Sequence, residues 1–327
     1  MKQNPQQGVA LIMVLIIVAL VTIISTQLIT ERNLQARRTS NIILAENAWQ
    51  FAVGAETLAG IALVKSLKNE DTVNLSQLWA SQGIVFPIEG GSLSAELKDL
   101  RSCFNLNGVL TTTDKQDAEK DNDKALAGEV IFTELIKSLA FDQILPAEAL
   151  AARLRDWLDS DQQPSGFEGR EDYEYSGYTL PYRTGDTLLG SRTELYTISG
   201  FTADLVARLL PYVCVIPGVT ELVLNINTIA VDQPELLSSF YDKLDINTAA
   251  SILSARPSEG FDKEGFDAQL PAEAVLRKGA KIDFISPYFS VTAKVELGRA
   301  NVNLKSLLQY DKQTSDIMVL ARLGIDD

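Results

Sequence analysis

One long helical pattern occupies the first part of the chain. Residues 9–29 form an uncharged apolar run of 21 residues, about the length that crosses a bilayer core as one helix. Residues 31–68 contain no proline, and apolar residues, Leu58 and Ile61 among them, recur there at roughly helical spacing. This pattern predicts one helix of about 55–60 residues, whose first half lies in lipid and whose second half lays an apolar stripe on a globular domain.

Strand patterns lie at both ends of the rest of the chain, and helical patterns lie between them. Apolar and polar positions alternate over residues 92–107 and, more clearly, over 288–297, 300–310 and 316–323. About 175 residues between the early and the late strands carry mainly short helical patterns. The order predicts an α+β fold, in which the long helix packs on a small antiparallel sheet of four strands and a large all-α domain is inserted.

Charge and residue types exclude several functions. The chain has 29 Lys and Arg against 43 Asp and Glu, a net charge of −14, and it contains no histidine and two cysteines. So acidic a surface repels nucleic acid, and we expect no nucleic-acid partner. Without histidine there is no Ser-His-Asp or Cys-His catalysis, and two cysteines are too few for a thiolate zinc site. Paired carboxylates leave glycosidase-type chemistry open without indicating any particular pair.

Two features disagree about the side of the membrane on which the body lies. Three arginines follow the apolar run and only Lys2 precedes it, so the positive-inside rule alone would leave the body in the cytoplasm. The two cysteines, Cys103 and Cys214, instead suit an oxidising compartment. A bridge between them would pin the inserted domain to the sheet, and two free buried thiols are the alternative.

A dense acidic segment is the strongest candidate for an ion site. Residues 156–174 hold seven acids and one base, Arg170. Carboxylates this close repel one another unless they are solvated or bridged by a hard cation, and calcium takes several oxygen ligands from such loops. The segment does not match the EF-hand pattern, so a solvated loop stays open as the alternative. A second acidic run, residues 114–123, has no apolar anchor and predicts an exposed loop.

The N-terminus resembles a known type of leader and anchor. A leader that contains Lys2 and ends at Gly8 precedes the apolar helix, which runs straight into an amphipathic one. This resembles type IV prepilins and the pseudopilins of type II secretion, in which a prepilin peptidase would cut between Gly8 and Val9 and methylate the new amino terminus. Met13 is the fifth residue after that cut, where most of the family has Glu. The minor pseudopilins K habitually lack this Glu.

Short segments across most of the chain resemble the central signature of the pseudopilin K family in order and spacing. In this sequence they are DWLDSD at 156–161, GRED at 169–172 with Tyr175, PYR at 181–183, TEL at 193–195, CVIPG at 214–218 and NINT at 225–228. Two positions depart from the family, because Arg170 stands where a small residue is usual and Asp186 where Asn is usual. Both lie near the acidic loop and bear on any ion site there.

The resemblance implies a filament component and not an enzyme. It implies a single-pass inner-membrane protein with its C-terminal body in the periplasm, acting in the export of folded proteins across the outer membrane. Its partners would be the minor pseudopilins I and J in a tip complex, the other pseudopilins of the filament and the prepilin peptidase. A periplasmic enzyme on a signal anchor and a type IV pilus minor subunit are the alternative functions.

The resemblance also implies a domain organisation. We expect a leader peptide, a transmembrane helix, a pilin-like domain in two pieces and an inserted helical domain. The expected boundaries are 1–8 for the leader, 9–29 for the transmembrane helix, 30–109 and 285–327 for the pilin-like domain, and 110–284 for the insert.

Specific residues acquire expected roles from the same resemblance. Pseudopilin K is known for calcium in its helical domain, which here implies Asp159, Asp161, Glu171 and Asp172 as ligands, completed by backbone carbonyls and water. Met13 implies a position at the end of the filament, because a subunit without the Glu gives up its pairing with a neighbour's amino terminus.

The periplasmic location that the family implies also bears on the two cysteines. Disulfide bonds form and persist in that oxidising compartment. We therefore expect a bridge between Cys103 and Cys214.

Overall fold

The structure is a computed structural model that describes residues 6–81, 83–112, 125–139 and 145–323. The acidic run at 114–123 lies outside the described residues. The helices are α1 (Gln6–Leu67), α2 (Ala127–Ser138), α3 (Ala147–Leu158), α4 (Asp172–Ser176), α5 (Ala203–Leu209), α6 (Pro234–Phe240), α7 (Ile246–Ser254) and α8 (Lys263–Asp267). The strands are β1 (Val85–Ile88), β2 (Gly91–Asp99), β3 (Phe104–Asn105), β4 (Val213–Cys214), β5 (Leu222–Asn225), β6 (Tyr241–Asp242), β7 (Val275–Leu276), β8 (Ala280–Asp283), β9 (Tyr288–Leu297), β10 (Ala300–Asp311) and β11 (Asp316–Leu323).

The first helix is longer than the sequence pattern predicts. It has 62 residues, which at 1.5 Å per residue gives a rod of about 93 Å. Its described side chains are exposed from Val9 to Ile43, and its packing on the rest of the chain is concentrated in the second half. The apolar run therefore projects from the body, as a membrane anchor would.

Five antiparallel strands form the main sheet of the described chain, in the order β1-β2-β9-β10-β11. Because β2 and β9 are neighbours in the sheet, residues 100–287 leave it and return to it between two adjacent strands. The prediction of four strands is wrong by one, since β1 adds an edge strand. The sequence hides β1 because Pro87 interrupts its pattern, and an edge position tolerates a residue that cannot donate to a ladder.

One face of the sheet packs on the second half of α1 through small side chains. Ala48, Ala52 and Ala55 are buried against a cluster that includes Ala293 and Val295 of β9. Small residues let the helix approach the sheet closely, and close packing favours them at such a contact. The predicted stripe is therefore partly wrong, because the larger side chains that the helical spacing assigned to it do not all face the sheet. Leu58 is 63% exposed and Ile61 is 60% exposed.

A buried carboxylate clamps α1 to the last two strands. The Glu56 carboxylate accepts hydrogen bonds from Arg322 at 2.9 and 2.8 Å, and it also accepts one from the Ser306 hydroxyl. Burial by itself raises the pKa of Glu56, but these hydrogen bonds and the Arg322 charge outweigh it, so the pKa lies below its ordinary value. Glu56 is thus held as a carboxylate at this contact.

The elements between β2 and β9 surround a core of their own. Phe104 contacts Phe132 of α2 and Phe240 of α6, with ring centroids 5.2 and 6.5 Å apart. Trp157 of α3 contacts Tyr175 of α4 edge-on at 5.5 Å. The described part of this region also contains the short pairings β3–β4, β5–β8 and β6–β7, which the helical pattern does not predict.

Covalent and polar contacts join this helical region to the sheet. Cys103 and Cys214 form a disulfide bond with their Cα atoms 5.8 Å apart, beside the β3–β4 pair. The predicted bridge is present. Asp99, at the end of β2, accepts hydrogen bonds from Asn225 at 2.9 Å and from Thr228 at 2.6 Å. These contacts hold the region at a defined position on the sheet.

Candidate functional site

The candidate site lies where α3 ends and α4 begins. Almost the whole of α3 is buried, and Asp159 follows it as its C-terminal cap residue. The loop then turns at Gly166, which has φ 61° and lies in the left-handed region that glycine favours. Glu171 is the N-cap residue of α4. Two helix ends thus hold the beginning and the end of the acidic loop.

Three of the predicted ligands meet in this loop. Carboxylate oxygens of Asp159, Asp161 and Glu171 lie within 4.8 Å of one another. Asp161 is exposed, Asp159 is half-buried and Glu171 is 5% exposed. The group therefore opens to solvent on one side and is enclosed on the other.

Several carboxylate oxygens of this group are buried and have no hydrogen-bond partner among the described residues. Both carboxylate oxygens of Glu171 and the Oδ1 atom of Asp159 are buried and accept no hydrogen bond from the described residues. The other oxygen of Asp159 lies 3.6 Å from the Arg155 guanidinium. Leaving buried carboxylate oxygens unpaired is costly. A hard cation is the kind of partner that this donor set fits.

The electrostatics agree with the geometry. Burial and, after it, the charges of nearby acids together raise the pKa of Glu171 to about 8. Burial likewise raises the pKa of Asp159 to about 7, together with repulsion from Asp161 and Asp156. Each shift has the same cause, because negative charges are gathered where water cannot fully screen them. The positive charge of a bound ion would reduce the repulsion among these carboxylates and so counteract both pKa shifts.

Asp172, the fourth predicted ligand, lies outside this group. Its Oδ1 atom accepts hydrogen bonds from the Thr184 backbone N–H and hydroxyl, both at 2.9 Å. Its other oxygen lies 3.7 Å from the Arg183 guanidinium. As the first residue of α4 it points away from its sequence neighbour Glu171, because adjacent helical residues do not face the same way.

The structure adds two acids that the sequence reasoning did not select. Asp156 is fully buried; its Oδ1 atom accepts a hydrogen bond from the Ser165 N–H at 2.9 Å, and its Oδ2 atom accepts none of good geometry from the described residues. A side chain at Gly169 would place its Cβ 2.3 Å from that Oδ2 atom, so only glycine fits there. The charge of Asp186 also raises the pKa of Glu171. The i, i+3 spacing of Asp156 and Asp159 could have indicated the first, and the position of Asp186 near the acidic loop could have indicated the second.

The N-terminal positions lie on α1. Gly8 and Val9 are consecutive residues near its start, and Met13 is 61% exposed on its apolar surface. Within the described chain, α1 is the helix that is long and apolar enough to cross a membrane. This is compatible with a single-pass anchor. Cleavage between Gly8 and Val9 and the filament-end position of Met13 stay predictions.

Comparison with known proteins decides the family. Sequence models described as Type II secretion system (T2SS), protein K match residues 102–218 and 224–285. The type II secretion system protein K of Aeromonas hydrophila is 35% identical over 319 residues, which cover 96% of each chain. That of Pseudomonas aeruginosa is 33% identical over 325 residues, covering 97% of this chain and 92% of the relative.

The chain belongs to the type II secretion system protein K family. The resemblance inferred from the sequence is confirmed. The fold agrees as well, because the structure is similar to a chain in the crystal structure of the GspK-GspI-GspJ complex from the enterotoxigenic Escherichia coli type 2 secretion system. The TM-score is 0.76 at 28% identity, and the match covers 89% of this chain and 100% of that chain. The α+β fold is confirmed by this similarity.

Proposed function

We propose that this chain is a non-enzymatic minor pseudopilin of the type II secretion pseudopilus tip, needed for the export of folded proteins across the outer membrane. Residues 9–29 anchor it in the inner membrane, and its body lies in the periplasm. The similarity to a chain of the GspK-GspI-GspJ complex over 89% of this sequence carries the proposal. A disulfide between Cys103 and Cys214 supports the periplasm, because such bonds persist in oxidising compartments.

The minor pseudopilins I and J are the partners in this proposal, together with the other pseudopilins of the filament. A groove of about 780 Å³ between α1 and the β1 edge is lined mainly by apolar side chains, among them Phe51, Leu58 and Phe86. These three side chains are exposed in the free chain. Contiguous exposed apolar surface of this kind is typical of a protein contact, and it suits packing against a neighbouring pseudopilin.

We also propose that the acidic site holds calcium. Asp159, Asp161 and Glu171 would hold the ion, and Asp156 is a further candidate, because its buried Oδ2 atom accepts no hydrogen bond of good geometry from the described residues. Asp172 was expected to be a ligand, but its oxygens have other partners. The ion would neutralise the gathered carboxylates and fix the loop between α3 and α4. Its role in this proposal is structural.

Intact mass and co-purification test the proposed function directly. The full chain is produced with a prepilin peptidase and with the I and J proteins of the same system. We expect the purified chain to lack residues 1–8 and to carry one added methyl group, and we expect I and J to co-purify with it. A Gly8→Leu variant is the matched control and should keep its leader. Recovery of the wild-type chain with residues 1–8 attached would instead favour a signal-anchored periplasmic enzyme, and cleavage without I and J would favour a type IV pilus subunit.

Met13 gives a second test, which concerns position in the filament. A subunit without Glu at this position gives up a buried ionic pairing with its neighbour's amino terminus. We expect the tagged wild-type chain only at the ends of pseudopili seen by immunogold labelling, and Met13→Glu also along their length. Met13→Leu should stay at the ends. If Met13→Glu labels only the ends, this residue does not determine the position.

A further inference from the structure

Three arginines lie on α1 just beyond its apolar run. Arg32, Arg37 and Arg38, here called the arginine collar, follow the uncharged residues 9–29, and all three are exposed. At 1.5 Å per residue they lie about 4.5 to 13.5 Å beyond Ile29 along the helix axis. The collar therefore adjoins the segment that would span the membrane.

The collar carries an excess of positive charge on an otherwise acidic chain. Glu31 is the only acid in residues 30–45, whereas the whole chain has a net charge of −14. The Glu31 carboxylate accepts a hydrogen bond from the Gln35 amide at 3.5 Å, one turn along the same helix. None of the three arginines forms an ion pair or a side-chain hydrogen bond with the part of the chain that the structure describes. Their guanidinium groups are available to anions from outside the chain.

The arginines encircle the helix and do not share one face. Successive residues of an α-helix are about 100° apart around its axis, so Arg37 lies about 140° from Arg32, and Arg38 lies about 100° further on. The three positions thus divide the circumference into nearly equal parts. A neighbouring protein contacts one side of a helix, whereas a membrane surface surrounds it. The arrangement therefore fits a lipid surface better than a single protein partner.

Helix geometry directs side chains of the collar back towards the bilayer. Each Cα–Cβ bond of an α-helix tilts towards the helix N-terminus, and for residues that follow the span this is the direction of the membrane. Arginine has a long stem that lets its charged end reach the interface. The headgroup layer of each leaflet is about 5–8 Å thick. Arg32 thus lies at the level of the headgroups, and Arg37 and Arg38 reach back to them from just outside.

The globular body leaves the collar uncovered. Ala48 is the first buried residue of α1 among those whose side chains the structure describes. It lies about 15 Å from Arg38 along the helix axis. The collar therefore occupies a separate level of the helix, between the apolar run and the contact with the main sheet.

We propose that the arginine collar binds the phosphate groups of anionic phospholipids at the surface of the membrane. This inference rests on the proposed function, in which residues 9–29 span the inner membrane. A guanidinium group presents N–H donors in a planar fork that matches two oxygens of one phosphate. Phosphates bound all around the helix would fix how deeply α1 lies in the bilayer.

The test is electron paramagnetic resonance of spin-labelled lipids around the full chain in phosphatidylcholine vesicles. The spectra resolve lipids that are slowed at the protein, and spin-labelled phosphatidylglycerol is compared with spin-labelled phosphatidylcholine. We expect the wild type to prefer phosphatidylglycerol about fivefold or more, because one basic residue near the surface favours anionic lipid by about that factor. The preference should fall at high salt. The Arg37→Gln/Arg38→Gln variant should lose most of it.

Two control variants separate the collar from charge in general. Lys65→Gln/Lys68→Gln removes the same charge at the far end of α1, where both lysines are exposed, and should keep the preference of the wild type. Arg37→Lys/Arg38→Lys should also keep a preference, because an ammonium group binds phosphate as a point charge. Lys2, on the other side of the span, is unchanged in every variant.

The outcomes distinguish this inference from the proposed function. Slowed lipid without a preference for phosphatidylglycerol in the wild type would overturn the lipid role of the collar alone. A preference that survives Arg37→Gln/Arg38→Gln would do the same, and either result would leave an acidic protein surface as the partner of these arginines. No slowed lipid of either kind would show that the chain is not embedded, which would overturn the membrane anchor and the collar together.

Discussion

Loss of the Cys103–Cys214 bond is expected to lower the free energy of unfolding by about 4–5 kcal/mol. The two cysteines are 111 positions apart, and a cross-link that closes so long a loop restricts the unfolded chain strongly. The measurement is urea unfolding of the full chain in detergent, monitored by tryptophan fluorescence. The urea midpoint of the double variant Cys103→Ser/Cys214→Ser is compared with that of the oxidised wild type. The double variant should still fold at low temperature, because the surrounding apolar contacts remain.

Reduced wild-type protein is the control for this prediction. It keeps both sulfur atoms in the core, whereas the serine variant replaces two buried side chains with polar ones. If the bond acts on the unfolded chain, reduction alone should produce most of the loss. An unchanged urea midpoint after complete reduction would show that the bond does not stabilise this fold.

Calcium is expected to stabilise the wild type by about 2.7 kcal/mol when its concentration is a hundred times the dissociation constant. The Glu171→Gln variant should lose this response, because it removes the most enclosed carboxylate of the group. Thermal unfolding of the full chain, once with calcium and once with a chelator, measures the calcium response of the wild type and of the variant. In the chelator, Glu171→Gln should be at least as stable as the wild type, since it removes repulsion among neighbouring acids.

Asp172→Asn is the matched control for the calcium prediction. It removes one negative charge at the next position, but Asp172 is hydrogen-bonded to Thr184 and lies outside the group. It should keep the full calcium response. The site assignment would be contradicted by a Glu171→Gln variant that responds like the wild type. Loss of the response in Asp172→Asn would restore the ligand set that the sequence alone suggested.

Helices and strands were predictable from the sequence where the hydrophobic pattern of neighbouring residues indicates them. Strand β9 alternates cleanly, and its predicted range agrees with the structure, as does that of β11. That the chain begins with one long helix was also predictable, because an uncharged run followed by a proline-free stretch leaves a helix as the simplest structure, although the predicted length was slightly short. Strand β1 was missed because its Pro87 is acceptable only at a sheet edge, and an edge is defined by the other strands.

The candidate acidic site was predictable in part. A dense acidic loop is visible in the sequence, but which carboxylates converge depends on the directions in which α3 and α4 point them. Asp172 follows Glu171 directly and still has other partners, whereas Asp186, which lies beyond the loop in sequence, raises the pKa of Glu171.

The sequence by itself determined the anchor helix, the late strands and the family. These depend on hydrophobic periodicity and on short motifs, which are properties of neighbouring residues. Only the tertiary structure decided which face of α1 is buried and which acids meet. Each of these is a contact between residues far apart in sequence, and its energy depends on the distances and the burial that folding creates.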